Sequence, residues 1–380
     1  MSLTGSKILF VFNGLDLGGA ERQALLLARH LQEEKHAQVE FWGFRKPGRA
    51  SELCDEYGIP WRIVPFRWAY SKVKRIGHLT RFAYCLRLVQ PDIVMPYTML
   101  PNVVCGLTWR SSGAQVCVWN QRDEGRDRFQ PTIERWAVRL TPWFISNSQH
   151  GADFLVQAAG AAPDRVRVVY NGIEMPAPQA SRPAWRTRLG VTESSSLVCM
   201  VANLTRYKDH ATLLRAWRVV TDRLHGTGCE ALLLLAGRFD DATDALKALA
   251  YDLELGRSVR FLGSVDDVTG LCAASDLAVF SSQLEGIPNG ILECMASGLP
   301  VVATDIPGIR EALGAENAPQ LAAPGDASLL AERIVALLLA PMQRQTLGAL
   351  NRQRVVACFS PQKMVDETVR MLTKIVGSHR

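Results

Sequence analysis

Short apolar runs alternate along the chain with longer stretches in which apolar side chains recur every three or four positions. The first apolar run, over 7–12, is followed by turn residues that include Gly18 and Gly19. The stretch over 20–32 then places its apolar side chains on one face of a predicted helix. This alternation is typical of strand-helix-strand units built around a parallel sheet.

The same pattern predicts elements in both halves of the chain. In the first half, further strands are predicted over 38–42, 93–96, 116–119, 143–146 and 167–170. In the second half, strands are predicted over 197–202, 231–235, 260–262, 277–280, 300–303 and 321–322, and helices over 209–221, 328–339 and 361–376. These strands are short and mostly apolar throughout, which indicates sheets that are covered on both faces.

The two halves repeat one architecture, because an apolar strand ends at Asn13 in the first half and at Asn203 in the second. A proline-rich segment over 175–183 separates the halves and is predicted to be a stiff, extended linker. We therefore predict an α/β protein with two doubly wound domains facing across a cleft. Ligands are expected at the carboxyl ends of the strands.

The composition is that of a globular protein. Of 380 residues, 48% are apolar and 21% are charged, which argues against disorder and against a small disulfide-rich fold. No apolar run approaches the roughly 18 residues needed to cross a bilayer. The first residues also lack the pattern of a secretory signal. We therefore expect a cytoplasmic protein.

Cysteine, histidine and net charge limit the classes of ligand. The nine cysteines include no pair at the two-residue gap of zinc or redox motifs, and the seven histidines show no ligand spacing. We therefore expect no metal and no cofactor, and we interpret most cysteines as small buried hydrophobic residues. The net charge of +6 is too small to indicate nucleic-acid binding.

The positive charge is concentrated in one interval, since no acid occurs between Glu56 and Asp92. Within this basic segment, 62–87, a helix over 72–88 is predicted. Its inward face is predicted to consist of Val73, Ile76, Leu79, Ala83 and Leu86. Two interpretations remain open: an ordinary solvated helix, or a peripheral contact with anionic lipid at the inner face of the plasma membrane.

The most informative stretch begins where a predicted strand ends at Phe280. A loop rich in glycine, proline and asparagine and a short helix follow, with Glu285 and Glu293 eight positions apart. Helical spacing would separate their backbones by about 12 Å, whereas a retaining glycosidase needs its two carboxyl groups about 5 to 5.5 Å apart. We interpret the acids as two contacts along one extended ligand. The alternative is that Glu285 caps a helix and Glu293 lies on a solvated face.

The start of that helix indicates what the ligand contains. Backbone amides over 286–291 form an anion site suited to a diphosphate, because a helix N-terminus carries partial positive charge. Glu293 lies between Leu292 and Cys294, and an acid in such apolar surroundings needs a hydroxyl or amide partner. The stretch therefore predicts a ligand that carries both a diphosphate and hydroxyl groups.

The run from Glu285 to Glu293, with its Gly-Ile-Pro-Asn-Gly core, closely resembles the donor site of family 4 retaining glycosyltransferases (glycosyl transferases group 1), which have the GT-B fold. The resemblance covers nearly the whole chain. Its other motifs are Gly18-Gly19-Ala20-Glu21, Ser146-Asn147-Ser148, Asn171-Gly172-Ile173 and Thr304-Asp305-Ile306-Pro307-Gly308. It implies two Rossmann-like domains, an acceptor-side domain over 1–177 and a nucleotide-sugar donor domain over 178–358. The last segment, 359–380, would pack back on the first domain. The sequence alone also allows an ordinary last helix of the second domain.

In the resembling family a nucleotide diphosphate sugar binds to the second domain. Carried onto this sequence, the resemblance implies that Glu293 binds the ribose hydroxyls and that Glu285 contacts the sugar. Arg206 and Lys208 would face the phosphates and, with Glu285, form the catalytic set. The other implied donor-binding residues are Gly18, Gly19, Asn203, Gly286, Ile287, Pro288, Asn289, Gly290 and Ile291.

The sequence departs from the family pattern at two places. Asn203 stands where many relatives have arginine, so Arg206 is predicted to supply the guanidinium. Many relatives also have a histidine after the strand that ends at 119, where this chain has Gln121, Arg122 and Asp123. These three residues are predicted to lie on the acceptor side, with Gln121 or Arg122 in place of the histidine.

The resemblance implies a retaining, metal-independent transfer of a hexose from a UDP- or GDP-linked donor. The acceptor would be a glycan or a lipid-linked molecule in the biosynthesis of cell-surface polysaccharide or glycolipid. One alternative is a nucleotide-sugar isomerase (epimerase) on the same scaffold, which lacks the Glu285 to Glu293 block. Another is a non-catalytic homologue that binds the donor, in which losses at Glu285 or Lys208 would be expected.

Overall fold

The computed structural model describes residues 3–69, 71–126 and 129–378. The chain forms two compact units, the first from Met1–Gly172 and Pro361–Arg380 and the second from Ile173–Ser360. The sequence placed its boundaries after residues 177 and 358, whereas the units divide after residues 172 and 360. Residue 70 of the basic segment 62–87 lies outside the described residues.

The first unit contains a parallel sheet. Its strands are β1 (Lys7–Phe12), β2 (Gln38–Gly43), β3 (Trp61–Ile63), β4 (Ile93–Pro96), β5 (Val116–Gln121), β6 (Trp143–Ser146) and β7 (Val166–Val168). They lie in the order β3-β2-β1-β4-β5-β6-β7. The helices before residue 172 are α1 (Gly19–Glu33), α2 (Arg49–Glu56), α3 (Lys72–Val89), α4 (Met99–Thr108), α5 (Pro131–Leu140) and α6 (Gln149–Asp153).

Strand β1 explains why the strands of this sheet are apolar throughout. Ile8, Phe10 and Phe12 point into one hydrophobic cluster, whereas Leu9 and Val11 point into another. All five side chains are buried. Because helices cover both faces of the sheet, an apolar residue is favoured at every position along the strand.

Helix α3 differs from its prediction, because two residues assigned to its inward face are exposed. Val73 and Ile76 are 80% and 63% exposed, so their inward placement is wrong. The helix is oriented instead by Phe82, which is buried and makes an edge-on contact with Phe44 at a centroid distance of 5.3 Å. The spacing of the apolar residues did not show which face of α3 the packing of Phe82 would turn inward.

The second unit contains a smaller parallel sheet. Its strands are β8 (Ser196–Val201), β9 (Ala231–Ala236), β10 (Val259–Gly263), β11 (Leu277–Phe280), β12 (Val301–Thr304) and β13 (Leu321–Ala322). They lie in the order β10-β9-β8-β11-β12-β13. Its helices are α7 (Arg182–Leu189), α8 (His210–Leu224), α9 (Thr243–Asp252), α10 (Val268–Ala274), α11 (Asn289–Ala296), α12 (Pro307–Leu313), α13 (Ala327–Leu338) and α14 (Pro341–Cys358).

The segment 175–183, which the sequence predicts to be the linker, lies within the second unit and is less extended than predicted, because α7 begins at Arg182. The side chain of Ser181 caps this helix by accepting a hydrogen bond from the Ala184 amide. Pro183 lies in the first turn, where the missing N–H costs no intrahelical hydrogen bond. The last part of the predicted linker is therefore helical.

The last helix, α15 (Pro361–Ser378), returns to the first unit. Its buried apolar side chains join the cluster that contains Ile8, Phe10 and Phe12 of β1; they are Met364, Val365, Leu372, Ile375 and Val376. The start of α15 lies against Gly172, where an added Cβ would be 2.7 Å from the Pro361 Cα. Of the helices that the structure describes, none is long and apolar enough to cross a membrane.

Candidate active site

The centre of the candidate site is an ion pair between Lys208 and Glu285 in the second unit. The Glu285 Oε1 atom accepts a hydrogen bond from the Lys208 ammonium and another from the Ser282 hydroxyl, at 2.9 Å. Both side chains are largely buried, with Glu285 6% and Lys208 14% exposed. A buried ion pair of this kind is stable only because each charge has a partner.

Backbone and side-chain hydrogen bonds hold the two parts of the pair in place. Lys208 ends a 3-10 turn, and its carbonyl accepts a hydrogen bond from the Ser281 hydroxyl at 3.1 Å. The Gln283 amide donates to the Tyr207 carbonyl at 2.8 Å, and its side chain donates to Asp209 at 3.0 Å. The loop after β11 is therefore joined to the loop before α8 by three hydrogen bonds.

Two glycines allow the backbone segments around this loop to approach each other closely. A Cβ atom at Gly290, in the first turn of α11, would lie 2.1 Å from the Val201 carbonyl oxygen at the end of β8. A Cβ atom at Gly308 would lie 1.7 Å from the Gly286 carbonyl oxygen. A larger residue at either position would displace the start of α11, which the sequence assigns to a diphosphate.

Glu293 lies on α11, where it is half-buried between the fully buried Leu292 and Cys294. The helix begins at Asn289 after Pro288, whose side chain forms no capping hydrogen bond. Because the first amides of a helix have no carbonyl partner within the helix, this end attracts anions. The second unit thus places Glu285, Glu293 and the residues 286–291 on one loop and the helix that follows it.

Arg206 is not brought to the Lys208–Glu285 pair. Its side chain is 84% exposed and lies 3.7 Å from the Asp241 carboxylate. It lines a depression of about 440 Å³ whose lining includes neither Lys208 nor Glu285. Its assignment to the phosphates stays a prediction.

Asn203 connects the loops that follow the two central strands β8 and β9. Its side-chain oxygen accepts a hydrogen bond from the Arg238 amide at 3.1 Å. The Arg238 carbonyl in turn accepts from the Leu204 amide at 3.0 Å. The structure therefore gives Asn203 a positioning role in the loop that leads to Lys208.

His210 follows this loop at the start of α8 and is almost fully buried. Burial, together with the positive charge of Lys208, lowers the pKa of its imidazole to about 4, with Asp209 acting in the opposite direction. The ring is therefore neutral at physiological pH. Protonation is more favourable in the unfolded chain, where the pKa is near 6.5.

This shift predicts that the protein loses stability in acid. Between pH 6.5 and 4 the unfolded state binds more protons at His210 than the folded state does, so the free energy of unfolding is expected to fall by about 3 kcal/mol as the pH falls through that range. Denaturant unfolding at several pH values measures the effect. The decrease in the free energy of unfolding per pH unit should be smaller in His210→Leu than in the wild type. It should be unchanged in His225→Leu, whose ring is exposed. Equal pH dependence in the wild type and both variants would contradict this prediction.

In the first unit, Gln121, Arg122 and Asp123 form a polar group at the carboxyl end of β5. The Gln121 side chain donates to the Asp123 carboxylate at 2.8 Å and accepts from the Trp119 indole at 2.9 Å. Gln121 and Asp123 are buried. They are therefore held in fixed positions by contacts within the unit.

The Arg122 guanidinium lies in the same group. It lies 4.8 Å from the centroid of the Tyr97 ring and donates hydrogen bonds to Asn171 at 3.3 Å and to Asn120 at 3.2 Å. Burial raises the pKa of Tyr97, and the charge of Arg122 opposes this rise. Arg122 thus connects Asn120 within β5 to Tyr97, which follows β4, and to Asn171, which follows β7.

Gly18 and Gly19 also lie in the first unit, where Gly19 is the first residue of α1. The Gly18 amide donates to the Glu21 carboxylate at 3.1 Å. Farther along α1, Gln23 forms two hydrogen bonds with the Gly172 backbone, at 2.9 and 2.8 Å. The glycine loop and the Asn171-Gly172 motif are therefore connected through one side chain.

The sequence did not single out Ser282, Tyr97 or Gln23. Ser282 lies three residues before Glu285, just outside the Glu285 to Glu293 block, so its position was the only signal of its role. Tyr97 follows the predicted strand 93–96, and Gln23 lies one turn after the glycine loop. Their partners are distant in sequence, and periodicity gives no information about them.

Two family models match the chain. The model described as Glycosyl transferases group 1 matches residues 195–340, and the model described as Glycosyltransferase Family 4 matches residues 17–175. The first covers the loop that holds Glu285, and the second covers Gln121, Arg122 and Asp123.

Curated relatives are similar over part of their length. N-acetyl-alpha-D-glucosaminyl L-malate synthase of Bacillus anthracis is 28% identical over 47% of this chain and 45% of its own. D-inositol 3-phosphate glycosyltransferase of Saccharomonospora viridis is 27% identical over 65% of this chain and 59% of its own. The chain thus spans about half the length of these relatives.

Solved structures show the same fold over the whole chain. The crystal structure of Anabaena HepE in complex with UDP and glucose has a TM-score of 0.83 and 22% identity, and covers 97% of this chain and 99% of that one. The glycosyltransferase of Rickettsia africae has a TM-score of 0.84 and 17% identity, with 98% and 99% covered. The prediction of two parallel-sheet α/β domains of the GT-B type is confirmed.

Proposed function

The chain belongs to the family 4-like glycosyltransferases of group 1, and on that basis we propose that it transfers a hexose from a nucleotide diphosphate sugar with retention of anomeric configuration and without a metal ion. The acceptor is a glycan or a lipid-linked molecule in the biosynthesis of cell-surface polysaccharide or glycolipid. The observation that carries this proposal is the buried pair of Lys208 and Glu285 beside the start of α11.

The positive charge of Lys208 suits a departing diphosphate. When the bond between the sugar and the phosphate breaks, the nucleoside diphosphate gains negative charge. Lys208 lies in a largely buried place where a cation stabilises such charge better than it does in water. In this scheme Lys208 neutralises the leaving group, and the amides at the start of α11 contribute a second positive partial charge.

The acceptor oxygen attacks from the face that the diphosphate leaves. The bond from the anomeric carbon to the phosphate oxygen breaks, a bond to the acceptor oxygen forms, and the leaving phosphate takes the acceptor proton. No side chain serves as a nucleophile in this scheme. Catalysis then depends on positioning and electrostatics, with Glu285 fixing the sugar and Glu293 the ribose.

The solved neighbours support a nucleotide sugar as the donor. Anabaena HepE was solved with UDP and with UDP-glucose, and this chain shares its fold over 97% of its length. The names of the two curated relatives described above contain L-malate and D-inositol 3-phosphate, which are small hydroxylated molecules. A UDP- or GDP-linked hexose and a hydroxyl acceptor therefore fit the proposed site.

On the acceptor side, we assign Gln121, Arg122 and Asp123 to recognition of the incoming hydroxyl compound. Their side chains lie at the carboxyl end of a parallel strand, which is where open α/β sheets bind ligands. The guanidinium of Arg122 is oriented by Asn120 and Asn171. An oriented cation of this kind suits an acceptor that carries phosphate or carboxylate.

Helix α3 supports contact with a membrane. Its exposed apolar residues form an outer stripe along one side of the helix; they are Val73, Ile76, Tyr84 and Leu88, which are 62% to 80% exposed. Exposed cations flank the stripe at Lys72, Lys74, Arg81 and Arg87. An apolar stripe with basic flanks binds the surface of anionic bilayers, where a lipid-linked acceptor is found.

This assignment predicts a change in lipid binding without a change in the donor site. Val73→Asp combined with Ile76→Asp is expected to lower binding to vesicles that contain phosphatidylglycerol by about tenfold or more, because two apolar contacts are lost and two acids are added. Vesicle co-sedimentation measures it. Val356→Asp, at an exposed valine of α14, is the matched control. Equal vesicle binding by the two variants would show that α3 does not contact the membrane.

A ligand screen tests the proposed function directly. Thermal shift with UDP- and GDP-linked hexoses should show one or two sugars that stabilise the protein, with no change when a chelator is added. Product analysis with the stabilising donor should then give a nucleoside diphosphate and an α- or β-linked product with the configuration of the donor. Inversion, or a strict need for Mg²⁺ or Mn²⁺, would overturn the scheme.

Replacing Lys208 should weaken binding of the diphosphate selectively. In Lys208→Ala the affinity for the nucleoside diphosphate is expected to fall about 10- to 100-fold, since a charge-assisted hydrogen bond is worth about 1.5 to 3 kcal/mol. Binding of the bare nucleoside should change little, and calorimetry measures both. Lys247→Ala, at an exposed lysine of α9, is the control. Arg206→Ala shows whether the Arg206 guanidinium contributes to binding of the diphosphate.

A further inference from the structure

Three cysteines from separate elements of the second unit converge on one point. Cys199 lies on β8, Cys272 on α10 and Cys294 on α11, and their sulfur atoms all lie within 4.8 Å of one another. The sulfur atoms of Cys272 and Cys294 are 3.8 Å apart. All three side chains are 0% exposed. We call these residues the thiol triad.

The spacing of the thiol triad suits a single atom bound by three sulfurs. With bonds of about 2.3 Å, as in metal–thiolate sites, the sulfurs around one centre are about 3.5 to 4.0 Å apart, the shorter value for a pyramidal centre. One pair of the triad has a separation in this range, and the others need to shorten by at most about 1.3 Å. A disulfide would require a contraction to about 2.05 Å, so a shared central atom fits the arrangement better.

The dry surroundings select the charge of that atom. Net charge is costly in a buried apolar site, and three thiolates carry three negative charges. Monovalent copper or divalent zinc would leave the site negative, and the described residues offer no fourth histidine, cysteine or carboxylate ligand within the same cluster. A trivalent, thiophilic element gives a neutral complex.

The reagent must also remove three protons. Each sulfur that bonds to the central atom gives up its proton. A species that brings its own hydroxide groups can accept the thiol protons as it binds. A neutral molecule also enters an apolar interior more easily than an ion does.

We propose that the thiol triad is a binding site for trivalent arsenic, which reacts as arsenous acid. Three sulfur–hydrogen bonds and three arsenic–oxygen bonds break, three arsenic–sulfur bonds form, and three water molecules leave. The oxidation state of arsenic does not change. The product is uncharged and trigonal pyramidal, because trivalent arsenic keeps a lone pair, and it joins β8, α10 and α11 through one atom.

The site lies directly beside the proposed donor residues. Cys294 adjoins Glu293 on α11, and Cys199 lies on the strand whose Val201 carbonyl contacts the start of that helix. Contraction of the triad therefore acts on the elements that carry the donor contacts. We expect bound arsenic to lower the affinity of the protein for the nucleotide. This effect rests on the proposed function, whereas the binding of arsenic does not.

Intact-protein mass spectrometry of the full chain incubated with sodium arsenite tests the binding. The wild-type chain should gain one arsenic atom and lose three hydrogens, and X-ray absorption of that adduct should show three sulfur neighbours. In Cys199→Ala, Cys272→Ala and Cys294→Ala the affinity should fall about 100-fold, because the third covalent contact is lost. Cys54→Ala, at a buried cysteine outside the triad, should bind as the wild type does.

Each contrary result overturns the proposal. These results are a wild-type chain without an arsenic adduct, an adduct with two sulfur neighbours, and an unchanged affinity in the triad variants. The X-ray absorption measurement needs only the wild-type chain, so a variant that fails to fold does not leave the matter open. Loss of nucleotide binding is measured separately, and its absence would leave the arsenic site standing while removing its link to the donor site.

Discussion

Glu285→Ala is expected to lower turnover about 100- to 1,000-fold, the range found when one preorganised group that stabilises a transition state is removed. Without the carboxylate, Lys208 loses its buried partner and the Ser282 hydroxyl loses its acceptor. The ammonium is then free to take other positions, so it no longer meets the departing diphosphate in one geometry. Because this loss acts on the reaction step, kcat should fall more than donor affinity.

Glu293→Ala should fail in a different way. Glu293 is assigned to the ribose, which does not change during transfer, so its loss should raise the dissociation constant of the donor about 10- to 100-fold while kcat at saturating donor changes little. Steady-state kinetics with the true donor separate the two variants. Glu285→Gln, which can still accept from Ser282, shows the contribution of the charge alone.

Glu332→Ala serves as the control for both variants, since that carboxylate is exposed on α13. Circular dichroism and thermal unfolding show whether each variant folds. If Glu285→Ala and Glu293→Ala were folded and as active as the wild type, the assignment of this loop and helix to the donor would be wrong.

The second large effect is expected at the other end of the chain. Deleting residues 361–380 should unfold the first unit and abolish transfer. Helix α15 buries five apolar side chains in the core of that unit: Met364, Val365, Leu372, Ile375 and Val376. At about 1.5 to 3 kcal/mol for each side chain, their removal is comparable with the whole stability of a typical domain, about 5 to 15 kcal/mol.

The second unit contains its own sheet and helices and should still bind nucleotide after the deletion. Limited proteolysis and binding of a hydrophobic dye report the state of the first unit, and calorimetry reports nucleotide binding. Leu372→Asp should reproduce the loss, because that side chain is 0% exposed. Lys374→Asp, at an exposed position two residues away, should not. A truncated chain that stays soluble and fully active would show that α15 is dispensable.

The sequence predicted those parts of the molecule whose geometry is local. The loop and helix around Glu285 and Glu293 lie on one continuous segment, so strand, turn and helix signals sufficed to place them. The strand positions follow from continuous apolar runs, which is why all six strands predicted in the second half have counterparts in the six-stranded sheet.

Features that depend on distant contacts were not predictable. The exposed faces of Val73 and Ile76 follow from the packing of Phe82 against aromatic residues of other elements. The surface position of Arg206 depends on Asp241, which lies in a loop after another strand. The thiol triad joins residues separated by long stretches of chain, so cysteine spacing gave no sign of it.

The return of α15 to the first unit has a consequence for synthesis on the ribosome. That unit begins at the first residues of the chain, yet its core is complete only when the last ones have emerged, after the 188 residues of Ile173–Ser360. At about 5 to 20 residues per second, the nascent first unit waits about 10 to 40 s with part of its apolar surface uncovered. The second unit, contiguous in sequence, finishes folding first. The order of maturation is therefore the reverse of the order of translation, and the N-terminal half is the part that a chaperone would have to protect.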